Sequence, residues 1–394
     1  MNLRRTFYTK TLTCIALASA FTMYGCQKDD FQASPELKAT AVANALQANN
    51  KVEGQYIVVF KNNGKKAQGI VKSLIARGII SPVEKSDILE GVVNGFVAKL
   101  SANQVAQLQK YADVAAIEQD QYLTSDGVAS TTTTTNTYTV LPGETVPQGV
   151  AMVGYGDGTG KTAWIIDSGV DINNSDLNVD VARSKSFLTG VTSVQDGYGH
   201  GTMIAGIIGA KNNGTGIIGV APNATIVALR VVDNAGVGTA ANAIKAVNHV
   251  STYGKAGDVV NISGSSGVSA TYDTAVKTVA AKGIFFAIAA GNSSVDCINN
   301  SPQRVNVTNV YTVSAMDYNN YFWTGSNFGS SVDLSAPGVN ITSLKIGGGT
   351  TYGTGTSFSA PHVAGLLLLQ GNAIGTNGTV IGDPDSTPDP IAHF

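Results

Sequence analysis

Cysteine is scarce in this chain of 394 residues, which has three of them. Cys14 lies inside an apolar stretch near the N-terminus and Cys26 comes at its end, which leaves Cys297 alone in the rest of the sequence. One thiol excludes an intrachain disulfide in that part of the chain. Because no histidine lies near it in sequence, we interpret Cys297 as a small structural residue rather than a nucleophile.

Charge is scarce too: 13% of the residues are charged and the net charge is -2. Proteins that bind nucleic acid typically present a strongly basic face, so no nucleic-acid partner is expected. Hydrophobic residues and glycine are plentiful instead, at 43% of the chain and 45 residues. This composition is typical of a globular protein with many tight turns, and the length allows two or three domains.

The first 26 residues have the features of an export signal. Three basic residues lie among the first ten, and residues 11–24 form a mostly apolar stretch that is too short for a membrane-spanning helix. We therefore predict a signal peptide over residues 1–26 and export of the protein. In the simpler of two alternatives, the signal is cleaved and the protein is secreted.

Cys26 indicates the other alternative, which we favour. A cysteine that follows small Gly25 at the end of an apolar stretch resembles a bacterial lipobox, in which the cysteine is lipidated. The next four residues, Gln27–Asp30, resemble the acidic export tag of surface lipoproteins in Bacteroidetes-type bacteria. A lipid on Cys26 would then attach the protein to the outer surface of the outer membrane, through a linker over residues 27–53.

The pattern of residues 54–122 predicts that they form a small separate domain. Ser101 and Gln104 have the spacing of a capping box, which marks the start of a helix that runs to about Tyr111. A second helix is predicted at 66–77, and strands at 56–60, 92–100 and 114–119. Strands and helices that alternate within so few residues predict a small α+β fold of the ferredoxin-like type.

Residues 123–148 are predicted to be a linker or processing segment. Five consecutive threonines and two prolines in this stretch cannot bury enough apolar surface to become ordered alone. From residue 149 to 394, short apolar strands alternate with helices. The strands are predicted at 162–166, 225–231, 258–262, 283–289 and 310–314, and the helices at 200–210, 239–253, 271–282 and 357–370. This pattern predicts an α/β fold in three layers, with a mainly parallel sheet covered on both faces.

Three polar residues lie where these strands end or these helices begin. Asp167 directly follows a strand, His200 opens a helix between two glycines, and Ser357 opens another helix. Ligands of parallel sheets bind beyond the carboxyl ends of the strands, where such residues meet. Taken singly, each residue has an ordinary structural interpretation as a turn cap, a structural histidine or a helix N-cap.

Taken together, they carry a resemblance to a known family. The segments Asp167-Ser168-Gly169, His200-Gly201-Thr202 and 355–362 (Gly-Thr-Ser-Phe-Ser-Ala-Pro-His) resemble the three signature motifs of the subtilisin-like serine proteases, in that family's order. The proteinase K-type and related secreted bacterial enzymes are the most similar subgroup. The resemblance implies a subtilisin-like fold and a serine endopeptidase with Asp167, His200 and Ser357 as catalytic triad. It implies no cofactor for catalysis, and structural calcium at sites that the sequence does not identify.

The resemblance extends to the segments that would hold a substrate. Asn292 matches the oxyanion-hole donor of the family and is preceded by Ala290 and Gly291. Two further segments match those that flank an extended peptide, Gly236-Val237-Gly238 and Ser263-Gly264-Ser265. The family normally has a bulky apolar residue and then glycine where this chain has Gly264 and Ser265. The substrates implied are proteins or peptides cut after apolar or aromatic residues, in a pocket that this change would widen.

Residues 54–122 resemble the inhibitory prodomain of the same family. The matching pieces are Tyr56–Phe60, Asn94–Ser101 and Val114–Asp120, in that order. Such prodomains act as folding templates, and their C-terminal tail lies in the active site like a product. The resemblance therefore implies a self-processing zymogen whose prodomain is an intramolecular inhibitor and partner.

Two rival functions are weighed against the protease. A catalytically silent surface binding protein could keep this fold, since fold does not guarantee activity, but it has no need of a triad, an oxyanion donor and a prodomain. An esterase of the α/β-hydrolase type is disfavoured, because the segment around Ser357 lacks the second glycine of the nucleophile elbow and the order of the triad differs.

Overall fold

The computed structural model describes residues 50–123 and 138–394. The predicted signal peptide, Cys26 and nearly all of the predicted linker over residues 27–53 lie outside the described residues. The described part divides into a small N-terminal domain and a larger C-terminal domain, each with its own sheet.

The N-terminal domain is an antiparallel sheet with two helices on one face. Its elements are β1 (Lys51–Phe60), α1 (Ala67–Ala76), a 3₁₀ turn (Lys85–Asp87), β2 (Ile88–Leu89), β3 (Gly95–Lys99), α2 (Ala102–Leu108) and β4 (Val114–Leu123). The strand order β4-β1-β3-β2 is that of the predicted ferredoxin-like fold. The predicted capping box is present, because Ser101 Oγ accepts the Gln104 N–H and the Gln104 side chain accepts the Ser101 N–H.

The two faces of this small sheet have different partners, as the alternation of side chains along a strand requires. Val58 and Phe96 pack under the two helices in the core of the N-terminal domain. Ile57 and Val97 point the opposite way and pack into a core that they share with the C-terminal domain. One face of the small sheet is therefore an interdomain interface.

The C-terminal domain alternates strands and helices, with bounds close to those predicted. Its first half contains β5 (Glu144–Thr145), α3 (Gln148–Val153), β6 (Thr162–Asp167), β7 (Asn178–Val179), β8 (Lys185–Ser186), α4 (His200–Gly209), β9 (Gly216–Ile217), β10 (Thr225–Arg230), β11 (Gly238–Thr239) and α5 (Ala240–Tyr253). Its second half contains β12 (Val259–Ile262), β13 (Ser266–Gly267), α6 (Ala270–Ala280), β14 (Phe285–Ala289), a 3₁₀ turn (Cys297–Asn299), β15 (Asn300–Ser301), β16 (Val310–Met316), β17 (Leu334–Pro337), β18 (Ile341–Leu344), β19 (Thr350–Gly353), α7 (Thr356–Gln370), a 3₁₀ turn (Gly371–Ala373), β20 (Gly375–Thr379) and β21 (Pro390–His393).

The main sheet is parallel except at one edge and has helices on both faces. Its order is β20-β21-β17-β16-β14-β12-β6-β10-β7, with β8 also paired to β10, and β20 is its one antiparallel strand. Helices α4 and α7 pack in the core on one face, and α5 and α6 in the core on the other. The predicted three-layer α/β fold is confirmed.

The predicted linker over residues 123–148 is partly structured. Strand β5 pairs with β9, and Glu144 Oε1 accepts the N–H groups of Asn213 and Gly214 at 2.5 and 2.6 Å. The ring of Tyr138 packs edge-on against Tyr155, with centroids 5.9 Å apart. Residues from Tyr138 onward therefore belong to the C-terminal domain.

Across residues 50–123 and 138–394, the structure has no helix long and apolar enough to cross a membrane.

Candidate active site

Asp167 and His200 are brought together by the end of a strand and the start of a helix. Asp167 is the last residue of β6 and His200 the first of α4. His200 Nδ1 lies 2.9 Å from both carboxylate oxygens of Asp167, and both side chains are buried. A Cβ on Gly201 would collide with the backbone oxygen of Gly169, so glycine is needed for this approach. The pair holds the imidazole so that Nδ1–H faces the carboxylate, and Nε2 is the nitrogen that can accept a proton.

Asp196 holds the two segments in place. One of its carboxylate oxygens accepts the Ser168 hydroxyl at 2.9 Å and the Gly199 N–H at 2.8 Å, and the other accepts both the N–H and the hydroxyl of Thr202. The carboxylate is buried at the start of α4, where negative charge is stabilised by the helix dipole. The sequence analysis did not identify Asp196. Its position four residues before His200, just ahead of a predicted helix, could have indicated a residue that caps the helix start.

Ser357 is the second residue of α7 and is fixed by Ser263. The Ser357 hydroxyl donates to the Ser263 backbone oxygen at 3.2 Å, and the Ser263 hydroxyl donates to the Ser357 backbone oxygen at 2.9 Å. Pro361 has no N–H to bond the Ser357 carbonyl within the helix, so Ser263 satisfies an oxygen that the proline frees. Asn261 donates to the Ser263 hydroxyl at 2.8 Å and extends this network. The sequence predicted the effect of the proline but not the residue that compensates for it.

Phe358 joins the start of α7 to the histidine. Its ring packs edge-on against the His200 imidazole, with centroids 5.4 Å apart. Ser357 and His200 therefore lie on neighbouring helices at the same edge of the sheet, although 157 positions separate them in the sequence.

Asn292 is oriented by Thr356, the residue before Ser357. The Asn292 side-chain oxygen accepts both the N–H and the hydroxyl of Thr356, at 2.9 and 2.8 Å. The Thr356 hydroxyl in turn accepts the Gly291 N–H at 2.9 Å. These two bonds fix the orientation of the Asn292 side chain, whose amide NH₂ is a hydrogen-bond donor. Ala290 and Gly291 lie in the buried segment between β14 and this asparagine.

The last strand of the N-terminal domain lies beside the predicted peptide-binding segments. Tyr122 and Leu123 of β4 pair antiparallel with Thr239 and Gly238 of β11. On the other side, the Gln121 side chain donates to the Val268 backbone oxygen at 2.9 Å. An extended chain thus adds to β11 as a strand, which is how many proteins hold peptides.

Gly236 and Val237 lead into β11, and the second predicted segment, formed by Ser263, Gly264 and Ser265, lies just before β13. Of these, Ser263 contacts Ser357, as described above. Gly264 and Ser265 are half-buried.

Two carboxylates of the N-terminal domain cap helices of the C-terminal domain. Asp120 Oδ1 accepts the N–H of Ala241 in the first turn of α5, at 2.9 Å. Glu118 accepts the hydroxyl of Ser269 at 2.7 Å and the N–H of Thr271 at 3.1 Å, at the start of α6. A helix start presents unpaired N–H groups and a positive dipole end, so both contacts favour docking of the two domains.

Cys297 is buried, and burial raises the pKa of its thiol. Nucleophilic cysteines are partly exposed and have lowered pKa values, so this environment agrees with a structural role. Within residues 50–123 and 138–394, no three His, Cys, Asp or Glu side chains come together as a group that could hold a metal ion.

Comparisons with known proteins agree with these two domains. The Subtilase family matches residues 158–380, and the Peptidase inhibitor I9 family matches residues 55–126. Alkaline serine protease ver112 of Corniculantispora psalliotae is 32% identical over 356 residues, which cover 89% of this chain and 88% of that protein. The cuticle-degrading protease of Metarhizium anisopliae is 30% identical over 380 residues, which cover 88% of this chain and 91% of that protein.

A solved structure shows the same relationship. The crystal structure of a cold-adapted subtilisin-like serine proteinase matches with a TM-score of 0.54 and 33% identity, and covers 61% of this chain and 90% of that one. On the extent of these matches, the chain belongs to the subtilase family and is a serine protease with an I9-type inhibitory prodomain.

Proposed function

We propose that the chain is an endopeptidase that uses Asp167, His200 and Ser357 as its catalytic triad. The observation that carries the proposal is the convergence at one edge of the sheet. The buried Asp167–His200 pair lies beside the start of the helix that holds Ser357. This combination suits acyl transfer, in which a hydroxyl is activated by a base that a carboxylate orients.

In the proposed reaction, the Ser357 oxygen attacks the carbonyl carbon of the substrate while His200 Nε2 takes the hydroxyl proton. The tetrahedral intermediate collapses, the peptide C–N bond breaks, and the leaving amine takes that proton from Nε2. Water then attacks the acyl-enzyme, gives a proton to Nε2, and the acid leaves as Ser357 regains its proton. Asp167 keeps the imidazole in the required tautomer and stabilises the imidazolium.

Asn292 and the N–H of Ser357 are the proposed donors to the oxyanion. The start of a helix directs N–H groups and the positive end of the dipole at this position. Thr356 supports the role of Asn292, because its two hydrogen bonds fix the amide oxygen and thereby the direction of the NH₂ group.

The chain is proposed to be made as a self-processing zymogen. Strand β4 occupies the side of β11 where a substrate strand would add, which supports inhibition by the prodomain. We propose that the maturation cut lies between Leu123, which pairs with β11, and Tyr138, which packs on Tyr155.

Export and anchoring remain proposals from the sequence. The protein is proposed to be exported, and a lipid on Cys26 is proposed to hold it on the outer surface of the outer membrane. The test is the mass of the N-terminal peptide of the wild type purified from cell membranes, compared with that of the Cys26→Ser variant. Lipidation adds a diacylglyceryl group at that cysteine, so we expect the added mass in the wild type and not in the variant. Structural calcium also stays a prediction, without assigned ligands.

The test of the catalytic proposal is the intact mass of the refolded chain without its signal peptide, beside its Ser357→Ala variant. We expect the wild type to lose its prodomain and the variant to remain whole. A fluorophosphonate probe should label the mature wild type and not the variant. If the wild type is neither cut nor labelled and does not digest casein, the silent binding protein becomes the better explanation.

A further inference from the structure

Arg230 is a buried arginine at the edge of the sheet where the proposed triad lies. It is the last residue of β10, and 6% of it is exposed. In the parallel pairing of β10 with β6, Arg230 lies beside Asp167. Ala228 and Ile165, two residues before them, belong to the core on which α4 packs. Because side chains alternate along a strand, Arg230 and Asp167 also point to the face that α4 covers, and α4 begins with His200.

The guanidinium of Arg230 bonds the segment that lies just ahead of α4. One of its nitrogens donates to the backbone oxygens of Ser193 and Gln195, at 3.3 and 2.7 Å. Another nitrogen donates to the side-chain oxygen of Asn234, in the segment after β10. Gln195 is followed by Asp196, whose carboxylate holds the start of α4. The positive charge is therefore fixed against the segment that carries this buried carboxylate.

None of the groups that Arg230 bonds is a carboxylate. Across residues 50–123 and 138–394, Arg230 takes part in no salt bridge, and its Nε has no hydrogen-bond partner. A buried charge that no opposite charge pairs directly costs free energy. An uncharged side chain of similar size would fill the same space without that cost, so the charge itself calls for an explanation.

The charged groups around this edge of the sheet are mostly acidic. Carboxylates lie in four segments, which are the end of β6 with Asp167, the segment after it with Asp171, the segment ahead of α4 with Asp196, and the segment after β10 with Asp233. The first three are buried, whereas Asp233 is exposed, as is Lys345 at the tip of the β18–β19 hairpin. Exposed charges are screened by water and salt, and buried charges much less. Three buried carboxylates favour a positive charge on the imidazole of His200, and a buried guanidinium opposes it.

We propose that Arg230 is a positioning residue of the proposed triad that acts through its positive charge. By offsetting the buried carboxylates, it keeps the His200 imidazole uncharged, and so able to accept the Ser357 proton, at neutral and mildly acid pH. The inference rests on the proposed function, since it concerns the base of that triad. Arg230 touches neither reacting group, and its effect on them passes through the charge alone.

The experiment measures kcat/KM against pH on one peptide p-nitroanilide, for the mature wild type and for two variants without the charge, Arg230→Gln and Arg230→Met. A unit charge about 10 Å away changes a pKa by about one unit at an effective dielectric constant of about 20. Loss of the positive charge favours the imidazolium, so the acid limb of the profile should move to higher pH by roughly half a unit to one unit. Arg230→Lys keeps the charge and should keep the acid limb of the wild type.

Lys282→Met is the matched control, because it removes an exposed cation just before β14, at the opposite edge of the sheet from the triad. Its acid limb should coincide with that of the wild type. An unchanged acid limb in a folded Arg230→Gln or Arg230→Met overturns the inference, even where stability falls, because a purely structural role changes stability and not this midpoint. An Arg230→Lys variant that moves the limb as far as Arg230→Gln overturns it too.

A measurement on the wild type decides the matter if no variant folds. The effect of a buried charge is little screened, so the acid limb of the wild type should move by less than about 0.3 pH units between about 0.05 and 1 M salt. A larger movement would show that exposed charges set the midpoint, and would overturn the inference. Absence of both cleavage and fluorophosphonate labelling in the wild type overturns the proposed function instead, and the inference with it.

Discussion

At the scale of single residues, the site depends on groups that orient the groups that react. Asn292 is held by Thr356 and His200 by Asp167, so neither side chain has to be ordered when a substrate binds. Pre-organised donors and bases of this kind are a main source of enzymatic rate enhancement. Loss of an orienting group should therefore reduce turnover more than binding.

Asn292→Ala should lower kcat by about a hundred to a thousand-fold with little change in KM, because it removes a donor that acts in the transition state. That range is the one measured for loss of such a donor in another member of the family. Steady-state kinetics on one peptide anilide would measure it. Asn319→Ala, at an exposed turn, is the control. A fall of less than threefold in kcat would show that Asn292 is not the donor.

Asp196→Ala should weaken both catalysis and stability. The substitution leaves the hydroxyls of Ser168 and Thr202 and the start of α4 without their acceptor, which costs roughly 2–4 kcal/mol of unfolding free energy. We expect kcat/KM to fall at least tenfold. Urea unfolding is measured in the Ser357→Ala background to prevent autolysis, and Asp157→Ala, at an exposed turn, serves as control. Unchanged stability would contradict this account of Asp196.

At the scale of secondary-structure elements, the contact between prodomain and protease is a contact between a sheet and two helix starts. Asp120 and Glu118, on the last strand of the prodomain, cap α5 and α6. The same strand pairs with β11, the segment proposed to bind an extended substrate. We therefore expect docking of the sheet and inhibition to be coupled through one strand, β4.

Asp120→Ala should raise the dissociation constant of the processed prodomain about tenfold, since loss of a helix cap costs about 1 kcal/mol and this one is buried. Activity on a small substrate after dilution of the processed complex measures the fraction of free enzyme. Asp113→Ala is the control, because that carboxylate pairs with Lys65 within the prodomain. Equal dissociation constants for both variants would contradict the capping role.

The same cap gives inhibition a pH dependence. Burial raises the pKa of Asp120 in the docked complex above that of an exposed carboxyl. The complex therefore binds protons more readily at this group than the separated prodomain does. Prodomain binding should strengthen as the pH falls through the raised pKa and weaken as the pH rises through it, and Asp120→Asn should lack this dependence.

At the scale of the whole molecule, buried ionisable groups oppose one another in their effect on stability. Asp389 is buried and accepts the Ser314 hydroxyl at 2.5 Å, and burial raises its pKa to about 7. His362 is fully buried, and burial lowers its pKa to about 4. Between pH 4 and 7 the folded protein therefore holds more protons at Asp389, and fewer at His362, than the unfolded chain.

Asp389→Asn should stabilise the protein at alkaline pH and not at acid pH. Because the folded pKa is raised above the unfolded one, the wild type loses stability as the pH rises from about 4 to about 7, by roughly 4 kcal/mol at most. The variant lacks this loss, so its advantage should be near zero at pH 4 and full at pH 8. Thermal unfolding of Ser357→Ala proteins at the two pH values measures it.

His362 supplies an internal control for that experiment. Its lowered pKa destabilises the fold as the pH drops from about 6.5 to about 4, in both proteins alike. In the wild type this loss is opposed between pH 4 and 6.5 by the gain in stability from Asp389, so Asp389→Asn should lose stability more steeply than the wild type as the pH falls through this range, and the two proteins should converge near pH 4. An advantage of equal size at both pH values would show that the effect comes from packing and not from ionisation.

Much of this molecule could be predicted from local patterns. Strands β6 and β14 were expected from apolar runs, and the start of α2 from the spacing of Ser101 and Gln104. The predicted bounds in the C-terminal domain differ from the observed ones by at most two residues, whereas β1 begins five residues before its predicted start and β4 ends four residues after its predicted end. Local patterns leave the ends of helices and strands undecided. Local pattern placed Asp167, His200 and Ser357 at the end of a strand or the start of a helix, and the resemblance of their motifs to those of the subtilisin-like family made them a candidate triad.

The amino-acid sequence by itself determined the order of elements, the two domains and the motifs of the candidate site, because these depend on apolar periodicity, caps and short motifs within a few positions. The tertiary structure alone decided which distant groups support them. Ser168 meets Asp196 across 28 positions, Gln303 meets Gly264 across 39, and Asp120 meets Ala241 across 121. No local pattern specifies such a pair, since it forms only when packing of the two apolar cores brings separate segments into hydrogen-bond distance.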